Sequence, residues 1–138
     1  MAAVEFHELT LSLNVAGKRA DVLRGIDLSV EPGAMLGLVG ESGAGKSMVG
    51  RVIAGEIPPG FAVTQGAVRF EGLDLLTLPR KQHRALLGRR IAFIPQEPLS
   101  GLNPVLTVRQ QLFEHLEHVG EPRTQWRQTA LDRLAEVG

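Results

Sequence analysis

Apolar residues alternate loosely over residues 4–13, VEFHELTLSL, and again over residues 22–30, VLRGIDLSV, where Leu23, Ile26, Leu28 and Val30 form the apolar side. That spacing predicts two β-strands. The polar, glycine-containing NVAGKRAD between them suits a turn, and Glu31–Gly33 is a second turn signal. The run AMLGLVG, residues 34–40, is nearly continuous in apolar character. Such a run predicts a strand buried on both faces. From Ser47 the period changes. Val49, Val52 and Ile53 fall at helical spacing, and Gly55 stands where that helix would stop.

Farther on, IPPGFAVTQG (57–66) reads as a loop and AVRFEG (67–72) as a short strand ending in a turn. LPRKQHRALLGRR, with Pro79 near its start, predicts a short basic helix. IAFIPQ (91–96) is another candidate for a buried strand. Thr107 is placed as an N-cap, with Val108, Leu112, Leu116 and Val119 on one helical face behind it. Trp126, Ala130, Leu134 and Val137 repeat the design, with Gly138 as a C-cap. The order is antiparallel β, strand–loop–helix, more β, then two helices. The one change of character falls at about residues 98–107.

Bulk properties narrow the function classes. A chain of 138 residues supports one domain with a real core. Hydrophobic residues at 43% and charged residues at 22% match a water-soluble globular chain. The formal net charge of zero gives no electrostatic case for nucleic acid, and none is expected as a partner. The absence of cysteine excludes disulfides and thiolate metal sites. No apolar stretch approaches the roughly 18 residues that a membrane span needs. The first ten residues do not read as a signal peptide.

One stretch carries chemistry. GESGAGKS, residues 40–47, matches G-x-x-x-x-G-K-[ST] at Gly40, Gly45, Lys46 and Ser47, and sits between a predicted buried strand and a predicted helix. Glycines let the backbone curl so that several N–H groups point at one anion. The helix behind adds its positive end. Lys46, one of only three lysines, supplies a point charge for β- and γ-phosphates. The Ser47 hydroxyl supplies an oxygen ligand for Mg²⁺.

VLRGIDLSVEPGAMLGLVGESGAGKSMVGRVIAG and GRRIAFIPQEPLSGLNPVLTVRQQL together resemble the N-terminal part of an ABC-transporter nucleotide-binding domain. GESGAGKS, TQGAVRFEGLDL and QEPLSGLNPVLTVRQQL resemble more narrowly the oligopeptide/dipeptide/nickel importer branch. The resemblance runs from about Val4 to Gly138. It implies an α/β fold, a P-loop NTPase core with an N-terminal antiparallel β subdomain and the start of a helical subdomain. The expected division is residues 1–97 for the β subdomain, P-loop and Q-loop, and 98–138 for the helical part. Carried over by position, Gly40, Glu41, Ser42, Gly43, Ala44, Gly45, Lys46 and Ser47 are the Walker A loop, and Met48 opens its helix. Gln96 is the Q-loop glutamine, a ligand of Mg²⁺ together with Ser47. ATP and Mg²⁺ are the implied ligands.

The resemblance also implies partners: transmembrane permease subunits, a second nucleotide-binding domain and, indirectly, an extracytoplasmic solute-binding protein. The place of work would be the cytoplasmic face of the membrane, as a peripheral subunit. Glu97–Pro104 would lie near the permease, with Leu99 and Leu102 as apolar contacts or, equally, packed on the helical subdomain itself. The family's adenine-stacking aromatic has no counterpart in LSLNVAGKRA, where Leu13 and Val15 offer apolar contact alone, and the chain has no tyrosine.

Several catalytic parts are absent from the sequence. No run of apolar residues ends in Asp-Glu, LSGGQ does not occur, and His83, His115 and His118 all precede the place of the family's switch histidine. His115 and His118 are expected to face solvent. The resemblance therefore implies an ATPase as a full-length protein, with these 138 residues inactive and poorly stable by themselves. Two other readings stay open: a non-catalytic nucleotide-binding half-domain, and the ATPase of another ABC branch.

Overall fold

The computed structural model describes residues 2–138, Ser100 through its backbone alone. It forms two compact units, Met1–Arg84 and Ala85–Gly138.

In the first unit, strands β1 (Val4–Val15), β2 (Lys18–Val30), β3 (Phe61–Phe70) and β4 (Leu73–Asp74) form one antiparallel sheet in the order β2-β1-β3-β4. Both early strands stand where the alternation placed them. β1 lies inside the sheet, and Leu9, Thr10, Leu11 and Ser12 are consecutively buried. Buried polar groups need partners. Ser12 Oγ donates to Asp21 Oδ1 at 2.6 Å and receives Arg19 Nε at 3.1 Å, while Arg19 Nη2 donates to Thr64 Oγ1 at 3.0 Å. The Ser12 hydroxyl and then Arg19 hold the Asp21 carboxyl below its ordinary pKa.

The sheet is bulged where β1 passes His7 and Glu8. Register jumps from Phe6 to Leu9 against β2, and from His7 to Thr10 against β3. Glu8 takes φ 44°, and its N–H donates to Asp27 Oδ1 at 2.9 Å. That amide, and secondarily His7 Nδ1 at 3.1 Å, lowers the Asp27 pKa. Gly66 sits opposite, where a Cβ would come within 2.5 Å of the Glu8 carbonyl oxygen.

Helix α1 (Lys46–Ala54) follows the glycine-rich loop and buries Val49, Val52 and Ala54. It ends at left-handed Gly55, as its sequence predicts. Helix α2 (Arg80–Leu86) is the short basic helix expected after Pro79.

Three expectations of secondary structure fail. Residues 34–40 form no strand: they are irregular, with Met35 99% and Val39 96% exposed. A strand satisfies its backbone through neighbours, and among the described residues no strand pairs with this run. Residues 92–96 are likewise irregular, and Ile91 makes only an isolated parallel bridge to Leu87. FAVTQG, expected as loop, is instead the first part of β3. Its Phe61, Ala62, Val63 and Gln65 pair with β1, so the available edge of β1 decides where its polar text does not.

The second unit holds a 3₁₀ turn (Pro98–Gly101) and helices α3 (Val108–Val119) and α4 (Trp126–Val137). Thr107 caps α3: its Oγ1 accepts the Gln110 N–H at 3.2 Å, and the Gln110 side chain accepts the Thr107 N–H at 2.8 Å. Left-handed Gly120 closes the far end. Phe113 and Trp126 meet with ring centroids 5.4 Å apart, and Leu116 and Ala130 are buried. Val108, Leu134 and Val137, expected on the apolar faces, are largely exposed.

Candidate functional site

The glycine-rich loop is fixed where it meets β2. Gly45 is the N-cap of α1 in a left-handed conformation, φ 82°. A Cβ there would lie 2.8 Å from Leu23 Cδ2 and 3.1 Å from the Val22 carbonyl oxygen. A side chain would crowd both groups, and the positive φ itself favours glycine here. β2 is shaped to receive it: Leu11 pairs with Leu23 but Ser12 pairs with Asp21, which leaves Val22 as an extra residue beside Gly45.

Upstream, Gly43 also takes positive φ, 83°, and the Ala44 N–H donates to the Glu41 carbonyl oxygen at 3.2 Å. Lys46 turns back along this loop. Its Nζ donates to the carbonyl oxygens of Gly40 at 2.8 Å and Glu41 at 2.6 Å. Gly40, Glu41, Ser42, Gly43 and Ala44 are exposed, and Ser47 is exposed at the first turn of α1. Met48 is half-buried, its N–H on the Gly45 carbonyl at 2.9 Å.

The electrostatics favour an anion. Gly45 has no side chain to cap the helix, and no acid stands in the first turn of α1. Its N-terminal N–H groups and the helix dipole therefore meet no side-chain cap and no acid from the first turn. An ammonium, curled backbone and a hydroxyl form a donor set that fits a polyphosphate. For a divalent cation, the Ser47 hydroxyl is an oxygen of the right hardness. Among the described residues no group of three or more His, Cys, Asp or Glu could hold a metal. A cation of the Mg²⁺ type would thus rely largely on ligand oxygens and water.

All the expected loop residues, Gly40 to Met48, come together in the first unit. Gln96 belongs to the second unit, exposed at a bend after the irregular run 92–95. His115 and His118 are exposed, as expected, although His118 Nε2 donates to the Leu87 carbonyl oxygen at 3.0 Å. Leu13 is half-buried and Val15 60% exposed.

Sequence reasoning missed His83. Its Nε2 donates to the Ile53 carbonyl oxygen at 2.9 Å, at the end of α1. The ring lies so near Gly55 that a Cβ would meet Cε1 at 2.7 Å. One orphan carbonyl of the loop's own helix is thereby satisfied from α2. The signal available in sequence was a lone histidine in a basic helix, which names no partner.

Comparison with known proteins adds to this geometry. A family model described as ABC transporter matches residues 23–138. Over its full length the chain is 31% identical to the peptide transport system ATP-binding protein SapD of Haemophilus influenzae, and spans 41% of that protein. It is 40% identical, over 82% of its length, to the dipeptide transport ATP-binding protein DppD of Escherichia coli, spanning 35% of it. With the oligopeptide transport ATP-binding protein OppD of Bacillus subtilis it shares 33% identity over 98% of its length, spanning 38% of that protein. Among solved structures, the ATP-binding cassette MJ0796, dimeric and bound to ADP and Pi in a post-hydrolysis state, superposes with a TM-score of 0.76 at 20% identity. It covers 94% of this chain, which spans 54% of it, and the likeness is one of fold.

Proposed function

This chain belongs to the ABC transporter family, and on that premise we propose that it is the nucleotide-binding part of an importer ATPase that moves peptides or related small solutes. One observation carries the reading: the open N-terminus of α1 lies behind a loop whose lysine, Lys46, is drawn over it. The peptide, dipeptide and oligopeptide transport relatives support the substrate class.

In this reading the triphosphate of ATP lies along Gly40–Ser47. The loop amides and Lys46 bind the β- and γ-phosphate oxygens and stabilise the charge that develops on them. Water attacks the γ-phosphorus in line, the bond to the β–γ bridging oxygen breaks, and ADP and inorganic phosphate leave. Mg²⁺ supplies neutralisation of the phosphate oxygens when bound. The Ser47 hydroxyl would hold it, and by the family resemblance the Gln96 carboxamide oxygen would be a further protein ligand. A neutral amide can engage and release a metal without a change of charge, which suits Gln96 to sensing the γ-phosphate.

No apolar run ending in Asp-Glu and no LSGGQ sequence occurs among these 138 residues, so the catalytic carboxylate and that signature are taken to lie outside them. They come from other sequence of the same system, so these residues bind nucleotide and do not turn it over alone. The partners are permease subunits, a second nucleotide-binding domain and an external solute-binding protein. No helix among the described residues is long and apolar enough to cross a membrane. The subunit works at the cytoplasmic face, where Glu97–Pro104 meets the permease.

The test is ATP-driven uptake of labelled peptide by membranes containing the full-length protein and its permease. Uptake that requires ATP and disappears in Lys46→Ala is the expected result. Uptake unchanged in that variant would remove the reading.

A further inference from the structure

We propose that Gln111 is a positioning residue: its carboxamide clasps the turn at Asn103–Leu106 and so presents a preorganised apolar tip to the permease. This rests on the reading that the segment around Glu97–Pro104 docks on that partner.

The tip is unusual for an exposed turn. Leu99 is 80% and Val105 88% exposed, with Leu102 nearby at 46%. Such apolar exposure loses hydration free energy unless another surface covers it. The backbone that carries it is nevertheless tied down. Gln111, in the second turn of α3, accepts the Asn103 N–H on Oε1 at 2.8 Å. Its Nε2 donates to the carbonyl oxygens of Asn103 at 3.1 Å and Leu106 at 3.2 Å. One side chain therefore satisfies three backbone groups, with both of its N–H bonds and its oxygen engaged. Asn103 Oδ1 adds a local bond to the Val105 N–H at 3.0 Å. Pro104 fixes one further dihedral. The capping box at Thr107 and Gln110 anchors the base of the turn to α3.

An exposed turn whose only task is to connect two elements needs no such brace, since water satisfies its backbone. A turn that must insert apolar side chains into a partner gains from one. Ordering is then complete before association and does not reduce affinity. The chemistry requires a carboxamide. Glutamate has the same shape but would set a carboxylate against two carbonyl oxygens. Methionine is similar in length and makes none of the three bonds.

The experiment uses the full-length protein with its membrane partner and compares Gln111→Glu, Gln111→Met and Val105→Asp. Both Gln111 variants should lower ATP-driven transport about tenfold, the effect of losing a few modest hydrogen bonds. Mg-ATP affinity should stay within about twofold. Amide exchange at Asn103 should accelerate in both, a readout that a general loss of stability would spread over the whole helix. Val105→Asp should abolish transport. Normal transport in either Gln111 variant, with Val105→Asp inactive, would overturn the clasp and leave the docking reading standing. Normal transport in Val105→Asp would remove the docking reading and this inference with it.

Discussion

Lys46, next to last in the glycine-rich motif, reaches back to Gly40, its first residue, and its ammonium donates to the Gly40 carbonyl oxygen at 2.8 Å. A second bond, to Glu41, holds the same nitrogen. The motif spacing places the charge over the loop and not out in solvent. Carbonyl oxygens are neutral acceptors. Phosphate oxygens carry charge and make stronger bonds to an ammonium. Exchange of one set for the other is the event by which this loop would report a nucleotide.

Gly45→Ala should damage both stability and binding. The new Cβ would press on Leu23 Cδ2 and the Val22 carbonyl, and its φ of 82° would be strained. Strain of this kind costs about 1–3 kcal/mol. The predicted result is a lowered unfolding midpoint together with weakened nucleotide binding. An unchanged midpoint would mean that the loop is not seated on β2.

The loop was legible in the sequence because its chemistry is local: glycines, a lysine and a hydroxyl at fixed spacing. So were Thr107 and Gly55, whose capping roles depend on a few neighbours. AMLGLVG and IAFIPQ were not. An apolar run becomes a strand only where another strand offers backbone partners, and none of the described strands does so. The reverse holds for FAVTQG, which β1 draws into the sheet despite its polar residues. Val22, His83 and Gln111 were invisible for a related reason. Each acts on a backbone group brought near by the fold, which no spacing in the sequence announces.

Acid should weaken the first unit through Asp27. The Glu8 amide and His7 lower its folded pKa below the unfolded value of about 3.9. A depressed carboxyl contributes stability that is fully present above the unfolded pKa and is lost as pH falls through the folded one. Denaturation midpoints from pH 7 down to about pH 3 should therefore fall less steeply in Asp27→Asn than in the unaltered protein. Parallel curves would show that the carboxylate does not anchor the Glu8 bulge.

Gly66→Ala should destabilise the same bulge from the β3 side. Its φ is 88°, and its Cβ would sit on the Glu8 backbone. Neither strand can yield without breaking ladder bonds, so a loss of about 1–3 kcal/mol is expected in denaturant unfolding. No loss would mean that the register jump at His7–Thr10 is absent in solution.

Removal of the α3 cap is a milder perturbation. Thr107→Ala loses the bond to the Gln110 N–H and should cost about 1 kcal/mol. Nucleotide affinity should not change. A cost near zero would indicate that the Gln110 side chain alone closes the helix start.

The central claim is that the Lys46 loop binds nucleotide phosphates, and equilibrium binding of Mg-ATP tests it most directly. Titration of a fluorescent ATP analogue into the full-length protein and its Lys46→Ala variant, with folding checked by thermal melting, gives the answer. Saturable binding that weakens about a hundredfold or more in a still-folded variant is the predicted result, since a desolvated ammonium–phosphate pair is lost. Equal affinity in the two proteins would contradict the account.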